Sequence, residues 1–182
     1  MGDKLKYRTV KSKPGFKEMF HISFKNSTFQ GMWHPNNPDG FDEAQEIIGD
    51  ISFPYPEPNL PRISCSPTIE QCFRGVFPNV AHLFEKKNYP YMEYSVFRPR
   101  FTGKEDIILP AELTAQRMIW DACVTEETCI LDPVHMQFVG RVRIFNTNAS
   151  PTMFIHPFGD PKNPLESVGP ATIKWSWIDK FK

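Results

Sequence analysis

Three short stretches carry polar side chains in settings that could do chemistry. His21 stands inside the apolar run Met19-Phe20-His21-Ile22-Ser23, which reads as a short strand. Ser64 stands in Arg62-Ile63-Ser64-Cys65, a second short strand that runs straight into Ser66-Pro67. There Ser66 is a good helix N-cap, Pro67 fits the first helical position, and Gly75 can end the helix. Glu126 and Glu127 immediately precede the apolar run Thr128 to Asp132. Each piece also has a plain structural reading: a core histidine, a helix cap, a solvated turn. Together they supply an imidazole that can hold a ligand, hydroxyls that can line a cleft, and a carboxylate. A carboxylate can stabilise positive charge developing in a transition state or accept a proton. Adjacent strand residues point to opposite faces, so only one of the two glutamates can enter a given cleft. Glu127 is the first candidate and Glu126 the second.

In this order the three pieces resemble the motifs of the ADP-ribosyltransferase fold. Phe20-His21-Ile22-Ser23 is similar to that family's first-strand "aromatic-His-Gly-Ser/Thr" segment. Arg62-Ile63-Ser64-Cys65-Ser66-Pro67 resembles its "Gly-x-Tyr-aromatic-Ser/Ala" strand leading into a helix. Glu127-Thr128-Cys129-Ile130-Leu131-Asp132-Pro133-Val134 resembles its glutamate followed by an apolar strand. The stretches from Arg62 to Cys72 and from Asp121 to Gly140 also look like those of small, phage-type members. The resemblance covers most of residues 19–145. It implies split antiparallel sheets with NAD as substrate, and it implies a macromolecular acceptor or, in a glycohydrolase, water. His21, Ser64 and Glu127 would be the catalytic set, with His21, Ser23, Ser64, Ser66 and Trp33 binding NAD and no metal involved. His21 would hydrogen-bond the ribose and amide parts of NAD, and Glu127 would stabilise the oxocarbenium-like transition state as nicotinamide leaves. The chain departs from the pattern at Arg62 in place of Gly, Ser64 in place of the stacking Tyr, and Ile22 in place of Gly. Trp33 or Phe53 would then have to supply the stacking surface. The altered second motif keeps an alternative open: a catalytically silent nucleotide- or protein-binding module, such as a phage accessory or anti-defence protein.

The elements that must position these residues can be read from pattern. Tyr91 to Arg98 alternates, with Met92, Tyr94 and Val96 on one face. Met136, Phe138, Gly140, Val142 and Ile144 alternate with His135, Gln137, Arg141 and Arg143, a clean period of two. Ile173, Trp175 and Trp177 repeat that period, and helices are expected over Phe41 to Ile48 and Pro110 to Trp120. Seven of the 18 prolines lie between Pro35 and Pro67, which keeps a central strand out of that stretch. Strands dominate, so the expected class is an α+β domain over residues 18–182. Residues 1–17, with Lys4, Lys6, Arg8, Lys11, Lys13 and Lys17 against Asp3, form a basic, flexible arm ahead of it.

Composition narrows the function classes. The chain has 182 residues, 21 basic and 21 acidic, and so lacks the basic excess of a bulk nucleic-acid binder. The 16 phenylalanines argue for a packed interior, and the prolines argue against a helical bundle. No apolar run approaches the roughly 18 residues of a membrane span, and no signal-peptide pattern opens the chain. A cytoplasmic setting, in a bacterium or phage-infected cell, is the expectation. The spacings of Cys65, Cys72, Cys123 and Cys129 match no zinc-knuckle or redox motif, so they read as reduced, mostly buried thiols, with a zinc site that adds His82 or His135 as the unsupported alternative. Arg98, Arg100, Arg141 and Arg143 read as solvent-face charges that could also meet a pyrophosphate.

Overall fold

A computed structural model describes residues 7–14, 16–24, 28–36, 60–116, 118–119, 122–147 and 173–181. The helix expected over Phe41 to Ile48, Phe53 and most of the proline-rich stretch lie outside these residues. The strands are β1 (Val10–Lys11), β2 (His21–Ser23), β3 (Gly31–Trp33), β4 (Ile63–Cys65), β5 (Tyr91–Arg100), β6 (Asp106–Ile108), β7 (Thr128–Ile130), β8 (Val134–Phe145) and β9 (Trp175–Lys180). The helices are α1 (Ile69–Lys87), α2 (Pro110–Ala115) and α3 (Ala122–Thr125). The fold is α+β and strand-rich, with every described strand pair antiparallel. Among the described residues, no helix is long and apolar enough to cross a membrane.

One sheet runs β1-β6-β7-β4; the other runs β2-β5-β8-β3, with β9 also pairing β8. The long strands β5 and β8 form the backbone of the second sheet, and their alternation is as the sequence pattern predicts. One irregularity decides how they pack. Val96 pairs Gly140 whereas Phe97 pairs Phe138, so Val139 is an extra residue and the register shifts there. On one side of the shift Met92, Tyr94, Val96, Val142 and Ile144 pack with Ile69 and Phe73 of α1. On the other, Phe97, Phe138 and Met136 pack with Ile63, Cys65, Ile107 and Ile130 of the smaller sheet. The same strand pair therefore buries opposite faces at its two ends, one against a helix and one against a sheet.

Helix α1 starts later and ends later than its sequence signals suggest. Ser66 stays in extended backbone, bridged to Phe20, and the cap passes to Thr68, whose hydroxyl accepts from Gln71 N at 3.1 Å. Gly75 does not stop the helix. Ile69, Phe73, Val76, Val80, Leu83 and Phe84 keep the helical spacing of three and four, and this apolar face is packed in the core. Burying such a side chain is worth roughly 1.5–3 kcal/mol, more than the ~1 kcal/mol cost of an interior glycine. Asn88 ends the helix in the left-handed conformation (φ 51°), donating its N–H to Phe84 O at 2.8 Å. Helix α2 is shorter than expected and ends at Ala115.

Part of the basic N-terminal segment is built into the fold. Val10 and Lys11 pair Ile107 and Asp106, and Ser12 is buried. The anchor is Glu105, whose carboxylate accepts from the Ser12 and Thr102 hydroxyls and from the backbone N–H groups of Thr102 and Gly103. Burial pushes this carboxyl up, but the hydrogen bonds win and bring it to about 2, below the ordinary 4.5. Its contribution is complete above pH 4.5 and is lost as pH falls from there toward 2, because the unfolded chain binds the proton first. Glu105→Gln should therefore cost about 3 kcal/mol at pH 7 and much less at pH 3, as read by urea denaturation. At Gly140 (φ 151°) an added Cβ would lie 2.3 Å from Asp179 O on β9. Gly140→Ala should lower stability by more than about 2 kcal/mol in the same measurement.

Candidate functional site

The site is organised where the two sheets meet. Phe20 and Ser66 exchange backbone hydrogen bonds (Phe20 N to Ser66 O 2.7 Å, Ser66 N to Phe20 O 2.9 Å), which sets β2 beside β4. The next residue, His21, places Nδ1 2.8 Å from Ser64 O. A carbonyl only accepts, so Nδ1 carries the proton, and in the neutral ring Nε2 is an acceptor. Nε2 has no hydrogen-bond partner among the described residues. Burial pulls the His21 pKa below 6.5 while the Ser64 bond opposes it, so the ring is neutral at neutral pH.

Trp33 enters from β3, where it pairs Val134. Its ring meets His21 edge-on, with centroids 5.4 Å apart, and it also packs on Phe97 at 4.6 Å. The indole Nε1 is buried and has no acceptor among the described residues. An unsatisfied buried donor costs roughly 1–3 kcal/mol, which makes this atom a place where a ligand's acceptor would be welcome. The half-buried pair thus carries an acceptor at His21 Nε2 and a buried donor at Trp33 Nε1 that have no partners among the described residues. Trp33 reaches His21 through a β3–β8 pairing more than a hundred residues apart in sequence, so its neighbourhood is set by topology.

Ser64 meets His21 through its main-chain carbonyl. Its side chain shares a face with its cross-strand partner Cys129, which packs against Ile108, Leu113 and Ala122. Ile63 and Cys65 point the other way, into the core shared with Phe97. Ser66 is buried and hydrogen-bonds Cys72 through backbone and hydroxyl. Glu127 is the next residue beyond the Cys65–Thr128 pair, as Ser66 is, so the two lie adjacent across β4 and β7. The Glu127 carboxylate Oε1 lies 4.0 Å from Cys129 Sγ, and its N–H donates to Ala122 O at 3.2 Å. Glu126 takes the left-handed conformation (φ 48°) and pairs with Lys17 at 2.7 Å, so it is turned toward the N-terminal segment. The Lys17 bond and charge hold the Glu126 carboxyl below the ordinary range. The structure brings His21, Trp33 and the Ser64 carbonyl into one group. Glu127 joins one strand further on, behind Ser66, rather than by touching His21.

Cys65, Cys72 and Cys129 are buried near Glu127 and form no disulfide, and Cys123 is exposed. Burial pushes Cys65 well above its ordinary value and Cys72 up to about 12, the latter opposed by Ser66. Cys65 and Cys72 are therefore protonated packing groups and are not nucleophiles. Among the described residues no group of three or more His, Cys, Asp or Glu is arranged to hold a metal ion. Ser23 shares the His21 face, two residues along β2. The four arginines divide between the two faces. Arg98 and Arg100 alternate away from Phe97 and the His21 face, whereas Arg141 pairs Ser95 and lies on it with Arg143. Alternation alone could not show this, because the register shift at Val139 separates the two pairs.

Comparison of the chain with protein-family models, curated proteins and solved structures returns no match.

The buried imidazole has a measurable signature. Above pH 6.5 His21 is neutral folded or unfolded; below it the unfolded chain binds a proton that the folded ring resists. Stability should therefore fall as pH drops below 6.5. His21→Asn, which keeps a donor for Ser64 O, should show a shallower fall between pH 7 and 5 in parallel urea titrations. Equal slopes would remove the buried-imidazole account.

Proposed function

We propose that the chain binds NAD on the His21 face and cleaves the nicotinamide–ribose bond, as an ADP-ribosyltransferase with a macromolecular acceptor or as an NAD glycohydrolase. The observation that carries this reading is the His21–Trp33 pair, an acceptor and a donor without partners among the described residues, packed beside the Ser64 carbonyl. A carboxamide, such as that of nicotinamide, offers the complementary N–H and carbonyl, and a ribose hydroxyl suits Nε2 equally well. The order His, Ser, Glu and the antiparallel two-sheet frame support the same reading. In the reaction the C1′–N bond breaks, nicotinamide leaves with the bonding pair, and positive charge develops on the ribose ring. The Glu127 carboxylate stabilises that charge and takes the proton of the oxygen or nitrogen nucleophile that bonds to C1′.

One observation favours a second reading, a nucleotide-binding module without turnover. The Glu127 carboxylate sits by Cys129 Sγ on the face that carries the Ser64 hydroxyl, one strand removed from His21. An NAD-consumption assay with calorimetry on wild type and Glu127→Gln separates the two. Turnover that falls a hundredfold or more in Glu127→Gln, with NAD affinity retained, is the expected result. Binding without turnover in wild type supports the module. A wild-type chain that neither binds nor consumes millimolar NAD would sink both.

A further inference from the structure

We infer that Arg141, held by Asp179, is the anion-binding residue of the His21 face and receives the diphosphate of a nucleotide ligand. This rests on the reading of that face as a dinucleotide site and deepens it. Paired residues of adjacent antiparallel strands point to the same side. Ser23 pairs Ser95, and Ser95 pairs Arg141, which pairs Asp179. These four side chains form a polar row across β2, β5, β8 and β9 on the side that carries His21. With strands about 4.8 Å apart, Arg141 lies about 10 Å from Ser23, a few bonds' reach from a ribose held at His21.

The row is built as a site. Arg141 donates from its backbone N and from Nε to Asp179 at 2.8 Å each, and from Nη2 to the same carboxylate. That grip fixes the plane of the guanidinium yet leaves Nη1 without a partner among the described residues, and the side chain is about a third exposed. A planar fork with a free edge is what a phosphate oxygen pair meets best. Midway along the row, Ser95 Oγ is buried without a hydrogen-bond partner among the described residues. The other half-exposed arginine of this face, Arg143, is committed elsewhere: it bonds Glu93 and stacks 3.9 Å over the Tyr91 ring. Arg100 is exposed but lies on the opposite face, so it serves as a control.

The test is calorimetric titration with three probes: ADP-ribose, inorganic pyrophosphate and nicotinamide riboside, which lacks phosphate. The proteins are wild type, Arg141→Gln, Arg100→Gln and the doubly neutralised Arg141→Gln/Asp179→Asn, each checked for folding by circular dichroism. The double variant leaves no uncompensated carboxylate, so it covers the case in which Arg141→Gln fails to fold. The expected result is a tenfold or greater loss of affinity for ADP-ribose and pyrophosphate in both Arg141 variants. Nicotinamide riboside should bind unchanged in every protein, and Arg100→Gln should match wild type throughout. ADP-ribose binding that ignores Arg141 overturns this inference and leaves the NAD reading standing. Pyrophosphate binding that depends on Arg141, without any binding of nicotinamide riboside, supports the anion site and overturns the NAD reading. No binding of any phosphate-bearing probe overturns the inference outright.

Discussion

The two sheets are joined at both ends of β4 by backbone exchanges, Asn36 with Arg62 and, at the seam on which the site depends, Phe20 with Ser66. Two side-chain bonds reinforce it, His21 Nδ1 to Ser64 O and Cys72 Sγ to Phe20 O. The seam places β2 simultaneously in contact with β5 of its own sheet and with β4 of the other. It also explains why α1 begins at Ile69 rather than at the Ser-Pro pair, because Ser66 must remain extended to bridge. The grouping of His21, Trp33 and the Ser64 carbonyl is a by-product of that join. A polar imidazole in an apolar strand is tolerable here because one of its nitrogens is satisfied by main chain across the seam.

The register shift at Val139 works alongside the seam. Without it, β5 and β8 would present a single apolar face along their whole length, suited to one partner layer. With it, one half of the pair serves α1 and the other half serves the small sheet. The face not used by α1 is free to carry Glu93, Arg141 and Arg143 beside the His21 end. A polar surface and a buried core thus run continuously along one side of one sheet.

Local periodicity carried much of this fold into view, and long-range geometry carried the rest. The alternation in the first half of β5 is plain because the partner face is constant there, and in β8 the even-numbered positions keep their apolar period although the face they occupy changes at Val139. The change of face between Val96 and Phe97 is not plain, since both are apolar and their pairing depends on a bulge in another strand. Gly75 reads as a stop when judged alone, yet the apolar spacing from Ile69 to Phe84 overrides it. Val10 and Lys11 sit among lysines and give no strand signal; their order comes from β6 and from the Glu105 cage. At the site, His21, Ser64 and Glu127 stand out by type and setting. Which atom of Ser64 matters, and that Arg141 rather than Arg98 shares the His21 face, are consequences of pairing that no short window contains.

Sheet order also has a consequence for how the chain assembles. β2 waits for β5, where His21 meets Phe97, and β3 waits for β8, where Gly31 meets Met136. β1 likewise pairs β6 only after the intervening chain exists. Joining partners so far apart closes long loops before any pairing is rewarded, which makes such topologies slow to fold. During synthesis the aromatic N-terminal strands therefore remain without partners until the β5–β8 ladder emerges. That ladder, closed over a much shorter connection, is the natural template onto which the earlier strands dock.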